Sequence, residues 1–587
     1  MDRHRPDRAR RAAGRPHLSR RRAALLSVAP SLLLAAPFLL VGLAAVPFDD
    51  PGEGMHAEIA RELMASGDPL RLTLNGVRYV DKPPLLYVLL AAAFAGAGPG
   101  EGAARLVPAL AALAAVAATA GLGARLLGAR GGFVAGAALA TSCGFFVYGR
   151  YVRPETLFVA ALAAGFALVL TGLLDERRGL VVLGLAAFGV AGLAKDPLGA
   201  LLPPLAVAIA LAACGFARPL GRWLPAAGVV ALLVLGLGWY VAVALATPGF
   251  AWYTVVDNHL LNVARARQFP DEDVPLSALE FLVVGGAGAL PWLAPAALVV
   301  WRLGRRRAWR DPAEAPWTAL AVWAVGVLGL TTLSGFRLPH YGLPAYPAIA
   351  LLAARGWSEL PPRPLAAAHA ALFGLLGAAC GLGWLSGAPA LAAVLDATDV
   401  ATRKAASTGG GVLDAAAFVP LLAAGALAFA AGAVGLAAIT VRGRSRALAA
   451  GAVIATLLLV LPSVSAGLAA SASARAVKGL ALELRARLAP DDVVVHEGPL
   501  ENSGALEWYS GARPVIVDGR RSVLAFGATR PETAGVFWEP ARLRATWTGE
   551  RRLWLVTGRD PTASVAATLP GARLAASAGG RRLYVNR

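Results

Sequence analysis

The stretch AALLSVAPSLLLAAPFLLVGLAAV, residues 23–46, has 24 residues and no charged side chain. A helix of this length spans the hydrocarbon core of a bilayer, which needs about 20 apolar residues. It is too long for the apolar part of a secretory signal peptide, which has about 7–15 residues. Nine arginines and two acids lie in residues 1–22 before it. We therefore predict a membrane anchor that follows a basic cytoplasmic N-terminus.

The rest of the chain has the same apolar character. Hydrophobic residues make up 57% of the 587 residues and charged residues 16%, against about 25% charged residues in soluble proteins. This composition excludes a water-soluble globular fold. The segment 83–96 is apolar, but its 14 residues predict an interfacial or re-entrant helix. Twelve further candidate spans lie near residues 104–123, 131–148, 155–174, 180–194, 197–216, 224–247, 277–301, 315–334, 342–356, 365–388, 413–439 and 447–469.

The positions of the arginines give this topology an orientation. With thirteen spans in all, and 83–96 not crossing, the short basic turns fall on the cytoplasmic side, as the positive-inside rule expects. Examples are the turns with Arg125 and Arg130, with Arg305 and Arg306, and with Arg355. The net charge of +19 therefore indicates membrane topology and no nucleic-acid partner. The same count places residues after about 470 outside the cytoplasm.

The tail, residues 471–587, differs in pattern from the spans. Residues 472–488 have the periodicity of an amphipathic helix, and four short apolar stretches predict strands. These stretches are DVVVHEG (492–498), RPVIVDG (513–519), RLWLVTG (552–558) and RRLYVNR (581–587). The predicted fold class is an all-α polytopic membrane protein with about thirteen transmembrane helices in residues 23–470. It carries a small extracytoplasmic C-terminal α/β domain with a partly parallel sheet.

Unusual polar residues collect in the predicted outer loops. The first outer loop, residues 47–103, places Asp49, Asp50 and Glu53 directly after the first span. Carboxylates this close to a bilayer are costly unless they are solvated or functional, so we favour a function for the acidic pair. Glu58 and Glu62 have the spacing of one helix face and fit ordinary surface acids.

Other outer turns add bases, acids and histidines to the same side of the membrane. One such charge at the end of a helix can simply reach out to the interface. Together they predict a site for an anionic lipid headgroup. The turns are YVRPETL with Arg153 and Glu155, LAKDPLG with Lys195, the loop with His259, Arg265 and Arg267, and FRLPHYG with Arg337, His340 and Tyr341.

Several familiar catalytic motifs are absent from the sequence. It has no phosphate-binding Walker loop, no dinucleotide-binding glycine motif in a strand-to-helix context, no HExxH, no CxxC pair and no GxSxG. Nucleotide-driven transport and zinc proteolysis are therefore disfavoured.

The order of the motifs resembles a superfamily of GT-C membrane glycosyltransferases. This superfamily contains the protein O-mannosyltransferases (glycosyltransferase family 39) and the lipid A aminoarabinose transferases. The residues that carry the resemblance are the acidic pair after the first span, AEIAREL (57–63), DKPPLLY (81–87), GRYVRPETL (149–157), LAKDPLG (193–199) and RLPHYGLPAYP (337–347). The resemblance implies a glycosyltransferase of a bacterial-type inner membrane. Its sugar donor would be linked to a polyprenyl phosphate, and its acceptor would be a hydroxyl group on a lipid, glycan or protein.

The resemblance also implies roles for single residues. A carboxylate would be the general base that takes the proton of the acceptor hydroxyl as it attacks the anomeric carbon with inversion. The order of preference is Asp50, Asp49 and then Glu53. Asp81 and His259 match positions associated with a divalent metal ion in some relatives. The lipid phosphate would be held by Lys82, Lys195, Arg265 or Arg267, Arg337 and Tyr341, with Arg153, Glu155 and His340 as further site residues.

Two other functions remain open on the sequence alone. A transporter or flippase of a lipid-linked saccharide would also need basic outer turns. Such transporters place their charges at the bilayer midplane and show internal repeats, neither of which is visible here. A structural or sensing membrane protein would explain the tail but leaves the motifs of the first outer loop without a purpose.

Overall fold

The computed structural model describes residues 17–216, 220–270, 273–398, 413–443 and 445–587. Most of the predicted basic N-terminus, residues 1–16, lies outside the described residues. The first helix begins at His17 and ends at Leu40, six residues before the predicted end of the span. Turns follow it, and Gly42 has φ 76°, a left-handed conformation that glycine adopts without a steric penalty.

The described residues between 17 and 475 are mostly helical. Two short strands, β1 (Thr73–Leu74) and β2 (Val77–Arg78), form an antiparallel hairpin in the first outer loop. The π-helical turn Tyr253–Leu261 directly follows α11. The helices are α1 (His17–Leu40), α2 (Glu53–Ser66), α3 (Leu85–Ala97), α4 (Glu101–Thr141), α5 (Cys143–Tyr148), α6 (Glu155–Leu174), α7 (Arg178–Ala194), α8 (Leu198–Ala213), α9 (Leu220–Trp223), α10 (Ala226–Ala246), α11 (Phe250–Trp252), α12 (Ala278–Gly288), α13 (Leu293–Arg305), α14 (Ala315–Leu333), α15 (Tyr346–Glu359), α16 (Pro362–Thr398), α17 (Ala415–Val441) and α18 (Arg446–Arg475).

The helices confirm a multi-pass membrane protein. Among the described residues, eight helices are long and apolar enough to cross a bilayer, or nine if α12 and α13 form one bent span. The helices α3, α7 and α8 are apolar but shorter. Helix α4 is interrupted at Gly128, whose φ is 78°, so its 41 residues form two arms. The break falls between the spans predicted at 104–123 and 131–148, and the second arm ends at Thr141. The total of thirteen spans stays a prediction.

One predicted span has a different shape from the one expected. The sequence predicts a single span over residues 277–301, but the chain bends by 109° between α12 and α13. Pro291 lies between them, and a proline can neither donate the helical hydrogen bond nor accommodate the preceding turn. Trp292 is fully buried at this corner, where its indole N–H donates to Thr141 Oγ1 at 3.1 Å. The corner is therefore part of the packed core.

The predicted inner turns meet at one end of the helical bundle. Arg125 donates to Asp175 at 2.6 and 2.9 Å, just beyond the last turn of α6. Arg355 pairs with Glu314, and Arg446 donates to the carbonyl of Leu360 at 3.0 Å. These contacts join segments whose basic residues were predicted to face the cytoplasm. The first outer loop lies at the opposite ends of the same helices.

The tail forms four α-helices and a mixed sheet. Helix α19 (Lys478–Arg487) precedes six strands in the order β5-β4-β3-β6-β8-β7. Strands β5, β4, β3 and β6 are parallel neighbours, and β8 and β7 are antiparallel. All four predicted strands are present, whereas β5 and β7 were missed. The elements are β3 (Val493–Glu497), α20 (Gly504–Ser510), β4 (Val515–Val517), α21 (Ala525–Ala528), β5 (Phe537–Trp538), α22 (Pro540–Trp547), β6 (Leu553–Thr557), β7 (Arg573–Ala578) and β8 (Arg581–Val585).

The tail and the first outer loop share one apolar core. Val494 and Ile516 of the sheet belong to the same buried cluster as Phe48 and Tyr87 of the loop. Gly504 lies so close to the loop backbone at Met55 that a Cβ there would collide with it. The separation into domains at residue 470 therefore stays a prediction, and we name this contact between loop and tail the seam.

Candidate active site

A cavity of about 390 Å³ lies where the first outer loop meets the outer ends of the helices. Its lining includes apolar residues of the spans, among them Leu202, Trp323 and Leu330. The charged residues and histidines of the lining are His56, Asp81, Lys82, Arg153, Glu155, Lys195, Asp196, His259, Arg267, Asp273 and His340. The cavity thus combines charged and apolar lining residues.

Glu155 holds three basic groups in the cavity wall. Its carboxylate lies 3.2 Å from Lys195 Nζ, 3.3 Å from His340 Nε2 and 3.5 Å from Arg153 Nε. Glu155 is only 2% exposed and occupies the first turn of α6, where the helix dipole also favours a negative charge. Tyr341 joins this group, because Lys195 Nζ lies 5.2 Å from its ring centre. The structure thus brings these five predicted site residues together.

Lys82 lies beside them and contacts the carboxylate of Asp81. Asp81 also accepts from Asn258 Nδ2 at 3.0 Å and lies 3.5 Å from the Tyr253 hydroxyl. Burial raises the pKa of Asp81, but the ammonium of Lys82 and the guanidinium of Arg267 have a larger, opposite effect. The pKa of Asp81 is therefore below its usual value. Asp81 therefore stays charged and keeps Lys82 in the cavity.

The lysines are unusual in this chain because they are so rare. Only four of the 55 basic residues are lysines, namely Lys82, Lys195, Lys404 and Lys478. Two of these four line the cavity. An ammonium is a compact point charge that binds a phosphate oxygen, whereas arginine offers a planar fork. The placement of lysines is thus a sequence signal that singles out Lys82 and Lys195.

The predicted metal pair, Asp81 and His259, lines the cavity but does not fit a metal ion. His259 Nδ1 lies 2.5 Å from the Thr254 carbonyl, and its Nε2 lies 3.1 Å from Asp196 Oδ2. Because both partners are acceptors, this arrangement favours protons on both ring nitrogens, and then neither offers a lone pair to a metal. Burial lowers the pKa of His259, but the hydrogen bond to Asp196 raises it to about 8. His259 therefore acts here as a hydrogen-bond donor to Asp196.

The three predicted candidates for the base do not line the cavity. Asp50 lies at the seam, where the Ala505 N–H donates to it at 2.9 Å and Arg581 Nη2 lies 3.5 Å away. Burial raises the pKa of Asp50 to about 7, in opposition to Arg581. Glu53 is paired with Arg105 in a buried contact. Contacts with the tail and the first spans thus hold these carboxylates, which sequence alone could not show.

The remaining candidate for the base, Asp49, is bound by a tyrosine from another segment. The Tyr151 hydroxyl lies 2.7 Å from both oxygens of the Asp49 carboxylate. The same hydroxyl occupies the space beside Gly52, where a Cβ would collide with it. A side chain at position 52 is therefore incompatible with this arrangement.

This close approach gives a direct prediction. Gly52→Ala should displace Tyr151, lower the melting temperature of the protein by several degrees and reduce its activity, because Asp49 loses its partner. Gly96→Ala is the matched control, since nothing lies within 4 Å of a Cβ at that helical position. Thermal unfolding of both variants in the same detergent measures the difference. Equal melting temperatures would contradict the described fit of Tyr151 against Gly52.

Two predicted phosphate ligands lie outside the cavity wall. Arg265 donates to the Gly335 carbonyl at 2.5 Å, and Arg337 donates to the carbonyls of Leu276 and Thr332 at 3.0 and 3.1 Å. Both therefore bind backbone in the loops. Arg267, the alternative to Arg265, lines the cavity instead. The π-helical turn Tyr253–Leu261 precedes Arg265 and Arg267 and influences which of the two reaches the cavity. The sequence pattern did not predict this π-helical turn.

Several polar or aromatic residues of the cavity were not predicted from the sequence. Asp196 and Asn258 stand directly beside predicted site residues, namely Lys195 and His259. This adjacency is a signal that could have identified them, because a turn tends to place neighbouring side chains at the same site. The polar and aromatic residues of the cavity that were not predicted are His56, Tyr79, Phe158, Asp196, Asn258, Asn262, Asp273, Trp323, Thr331, Ser334 and Phe336.

A buried acidic cluster lies at the seam. Oxygens of Glu58, Glu62 and Glu507 lie within 4.8 Å of one another, the spacing of a potential metal site. Arg61 pairs with Glu58 at 2.8 Å, and Arg513 lies 3.2 Å from both Glu62 and Glu507. None of the three acids lines the cavity. The predicted surface acids Glu58 and Glu62 are therefore buried by the tail.

This cluster predicts how stability depends on pH. Burial raises the pKa of Glu507 well above its usual value, and Glu58 and Glu62 raise it further. The folded chain then keeps a proton that the unfolded chain loses, so the free energy of unfolding falls as the pH rises above about 4.5. Glu507→Gln should raise the melting temperature at pH 8 by a few degrees and have little effect at pH 5. The exposed Glu483→Gln is the control, and an equal effect of both variants would contradict this origin.

Part of the chain is similar in sequence to known sugar transferases. The model of a family described as dolichyl-phosphate-mannose-protein mannosyltransferase matches residues 81–240. The undecaprenyl phosphate-alpha-4-amino-4-deoxy-L-arabinose arabinosyl transferase 1 of Pseudomonas fluorescens (strain Pf0-1) is 30% identical over 338 residues, 55% of this chain and 56% of that protein. The corresponding transferase of Pseudomonas aeruginosa (strain UCBPP-PA14) is 30% identical, covering 55% of this chain and 58% of that protein. The matched region thus spans a little over half the length of these relatives.

The structural comparison extends over nearly the whole chain. The crystal structure of ArnT from Cupriavidus metallidurans bound to undecaprenyl phosphate superposes with a TM-score of 0.76 at 24% identity, covering 95% of this chain and 98% of that one. The chain has the GT-C fold. The resemblance that the motifs predicted is confirmed by the family model and by the sequence relatives, and the structural likeness shows a shared fold. In this GT-C fold, the cavity with Lys82 and Lys195 lies between the first outer loop and the helices.

Proposed function

We propose that the chain is an inverting glycosyltransferase that moves a sugar from a polyprenyl-phosphate donor to a hydroxyl acceptor. The observation that carries the proposal is the mixed lining of the cavity, in which Lys82 and Lys195 occur together with apolar side chains such as Leu202 and Leu330. A polyprenyl phosphate has the same two parts, a charged phosphate and an apolar chain. The undecaprenyl phosphate named for the solved ArnT structure is a ligand of this kind.

In this proposal the cavity bases stabilise the leaving group. Charge develops on the lipid phosphate as the bond to the sugar breaks, and preorganised cations are most effective at that point. Lys82, Lys195 and Arg267 supply positive charge, and Tyr341 supplies a hydroxyl. Glu155 acts as a positioning residue through Lys195 and His340.

We place the general base on a carboxylate of the cavity wall, Asp196. Its side chain is 33% exposed, compared with 13% for Asp81 and 2% for Glu155. Its ion-pair partner among the described residues is His259, whereas Lys82 binds Asp81 and three bases surround Glu155. Asp196 is thus the most accessible of these three acids to an acceptor hydroxyl. The carboxylates that the resemblance suggested, Asp50, Asp49 and Glu53, then serve to hold the first outer loop.

We also propose the orientation of the chain in a bacterial-type inner membrane. The thirteen spans would leave the N-terminus in the cytoplasm and the cavity and tail outside. The meeting of the basic turns at one end of the bundle supports this, as does the charge rule. Reaction of single cysteines introduced at Arg125 and Asp68 with an impermeant maleimide tests it. Labelling of the Asp68 position alone from outside is expected.

The proposed reaction is tested by product analysis with the purified chain. A polyprenyl phosphate carrying a radiolabelled sugar is incubated with envelope extract, and the release of free polyprenyl phosphate is followed together with the label. Sugar transfer predicts that the amount of lipid phosphate released equals the amount of sugar attached to an acceptor. Intact donor after prolonged incubation with a panel of such sugars and extracts would contradict the proposal.

A further inference from the structure

Three arginines from two segments lie on the outer side of the seam. Arg71 and Arg78 belong to the first outer loop, and Arg530 follows α21 in the tail. Gly527 packs directly on the backbone of Arg78, where a Cβ would collide with its carbonyl oxygen, so the tail brings Arg530 to the hairpin. Burial lowers the pKa of Arg78, and the charges of Arg71 and Arg530 lower it further, while Asp68 and Glu532 raise it. Arg71 and Arg530 therefore lie within electrostatic range of Arg78.

Asp68 and Glu532 are near enough to act on Arg78 electrostatically, but the cluster forms no direct ion pair in the part of the chain that the structure describes. Among the described residues, none of the three arginines forms a salt bridge with a carboxylate. The Nε atoms of Arg78 and Arg530 are buried and have no hydrogen-bond partner there. Arg78 Nη2 donates to the Leu70 carbonyl at 3.3 Å, and Arg530 Nη2 donates to the Pro248 carbonyl at 2.6 Å. Unused guanidinium donors and mutual repulsion both favour a bound anion.

The cluster lies at the level where lipid headgroups are expected. Pro248, which binds Arg530, comes two residues after the end of α10, one of the helices long enough to cross the bilayer. Around this end the chain exposes apolar side chains, with Leu245 85% exposed and Trp252 39% exposed. Exposed tryptophan at the end of a span is typical of the membrane interface. The arginines thus lie at the border between the apolar band and the outer loops.

An aromatic layer separates the cluster from the cavity. The Arg530 guanidinium lies 4.7 Å from the ring centre of Phe526, whose other neighbour is the Tyr253 ring, with centres 4.7 Å apart. Tyr253 lies 3.5 Å from Asp81 in the cavity wall. The cluster is therefore a different site from the one proposed for the donor phosphate.

We propose that Arg71, Arg78 and Arg530 form a binding site for the phosphate headgroup of an anionic membrane lipid. The planar guanidinium groups bind phosphate oxygens through paired hydrogen bonds, and the acyl chains lie along the exposed apolar band. The bound lipid bridges the first outer loop and the tail at the seam. The site does not depend on the proposed transfer reaction.

The test measures lipid binding to the full chain in neutral detergent micelles. Dioctanoyl phosphatidylglycerol is the probe, dioctanoyl phosphatidylcholine is the zwitterionic control lipid, and inorganic phosphate is the competitor. Arg78→Gln with Arg530→Gln should weaken binding of the anionic lipid at least tenfold. Arg542→Gln with Arg544→Gln, which removes two charges from the exposed face of α22, should leave it unchanged. Arg71→Gln removes an exposed arginine, so it keeps the fold and should weaken binding about threefold.

Three results would overturn the proposal. The first is unchanged binding in both the double variant and Arg71→Gln. The second is an equal loss in the control variant, since binding would then reflect net charge alone. The third is competition by inorganic phosphate at the same concentration as the lipid, which would assign the cluster to free phosphate. Each readout is independent of sugar transfer, so failure here and failure of the proposed function are distinguishable.

Discussion

Lys82→Ala is expected to lower kcat/KM for the polyprenyl-phosphate donor by about 10²–10³-fold, the magnitude found when one preorganised donor to a developing charge is removed. Two effects add in this variant. The donor phosphate loses an ammonium group that binds it. Asp81 also loses the base that it contacts, so its carboxylate remains in the cavity with less compensating charge. Steady-state transfer rates and the Kd of unreactive polyprenyl phosphate measure the two effects separately.

The chain offers a matched control for this experiment. Lys478 is one of the few other lysines, and it pairs with Glu101 at the seam at 2.6 Å with its side chain 40% exposed. Lys478→Ala should keep donor binding within about twofold of the wild type, because an exposed ion pair contributes little. Lys82→Arg should restore part of the affinity for the donor. Normal turnover of Lys82→Ala would show that Lys82 does not stabilise the leaving lipid phosphate.

Asp196→Asn is expected to reduce kcat by about 10²–10⁴-fold, the usual contribution of a general base. The donor should bind as before, since the amide keeps the size of the side chain. The carboxylate has its pKa held below the usual value, mainly by the hydrogen bond and charge of His259 in opposition to burial. Activity of the wild type should therefore fall only when the pH drops below the usual range of aspartate titration. A pH–rate profile of the transfer step checks this.

The comparison variant for the base is Asp50→Asn. Asp50 is bound by Ala505 and Arg581 at the seam and does not line the cavity. We expect its variant to keep donor binding and to lose at most about tenfold in kcat, through a looser first outer loop. If Asp50→Asn is inactive while Asp196→Asn transfers normally, the base lies on the first outer loop, as the family resemblance suggested.

The sequence predicted the helices of this chain well because the length of an apolar run is a local property. The positions of Lys82, Lys195 and Glu155 were also predictable, since charges in turns on one side of a membrane must share one face. Those turns converge in the cavity. Four of the six strands of the tail also follow from short apolar runs, three of which end in glycine.

The contacts of the predicted base could not be predicted from the sequence. Asp50 is bound by Arg581, which lies 531 residues later in the chain, and no local pattern encodes such a pair. The burial of Glu58 has the same cause, because the tail covers a helix face that looks solvated. Arg265 and Arg267 lie two residues apart, and only Arg267 lines the cavity. The π-helical turn before them influences which of the two points there. Long-range packing and irregular helices thus set the details of the site.

The central claim is that the cavity transfers a sugar from its lipid carrier, and one assay tests it most directly. The chain is reconstituted in liposomes with a radiolabelled polyprenyl-phosphate sugar and envelope acceptors, beside Lys82→Ala liposomes. We predict that label moves to an acceptor with the wild type and remains on the carrier with the variant. Label that crosses the bilayer while still on its original carrier would contradict the claim and identify a flippase.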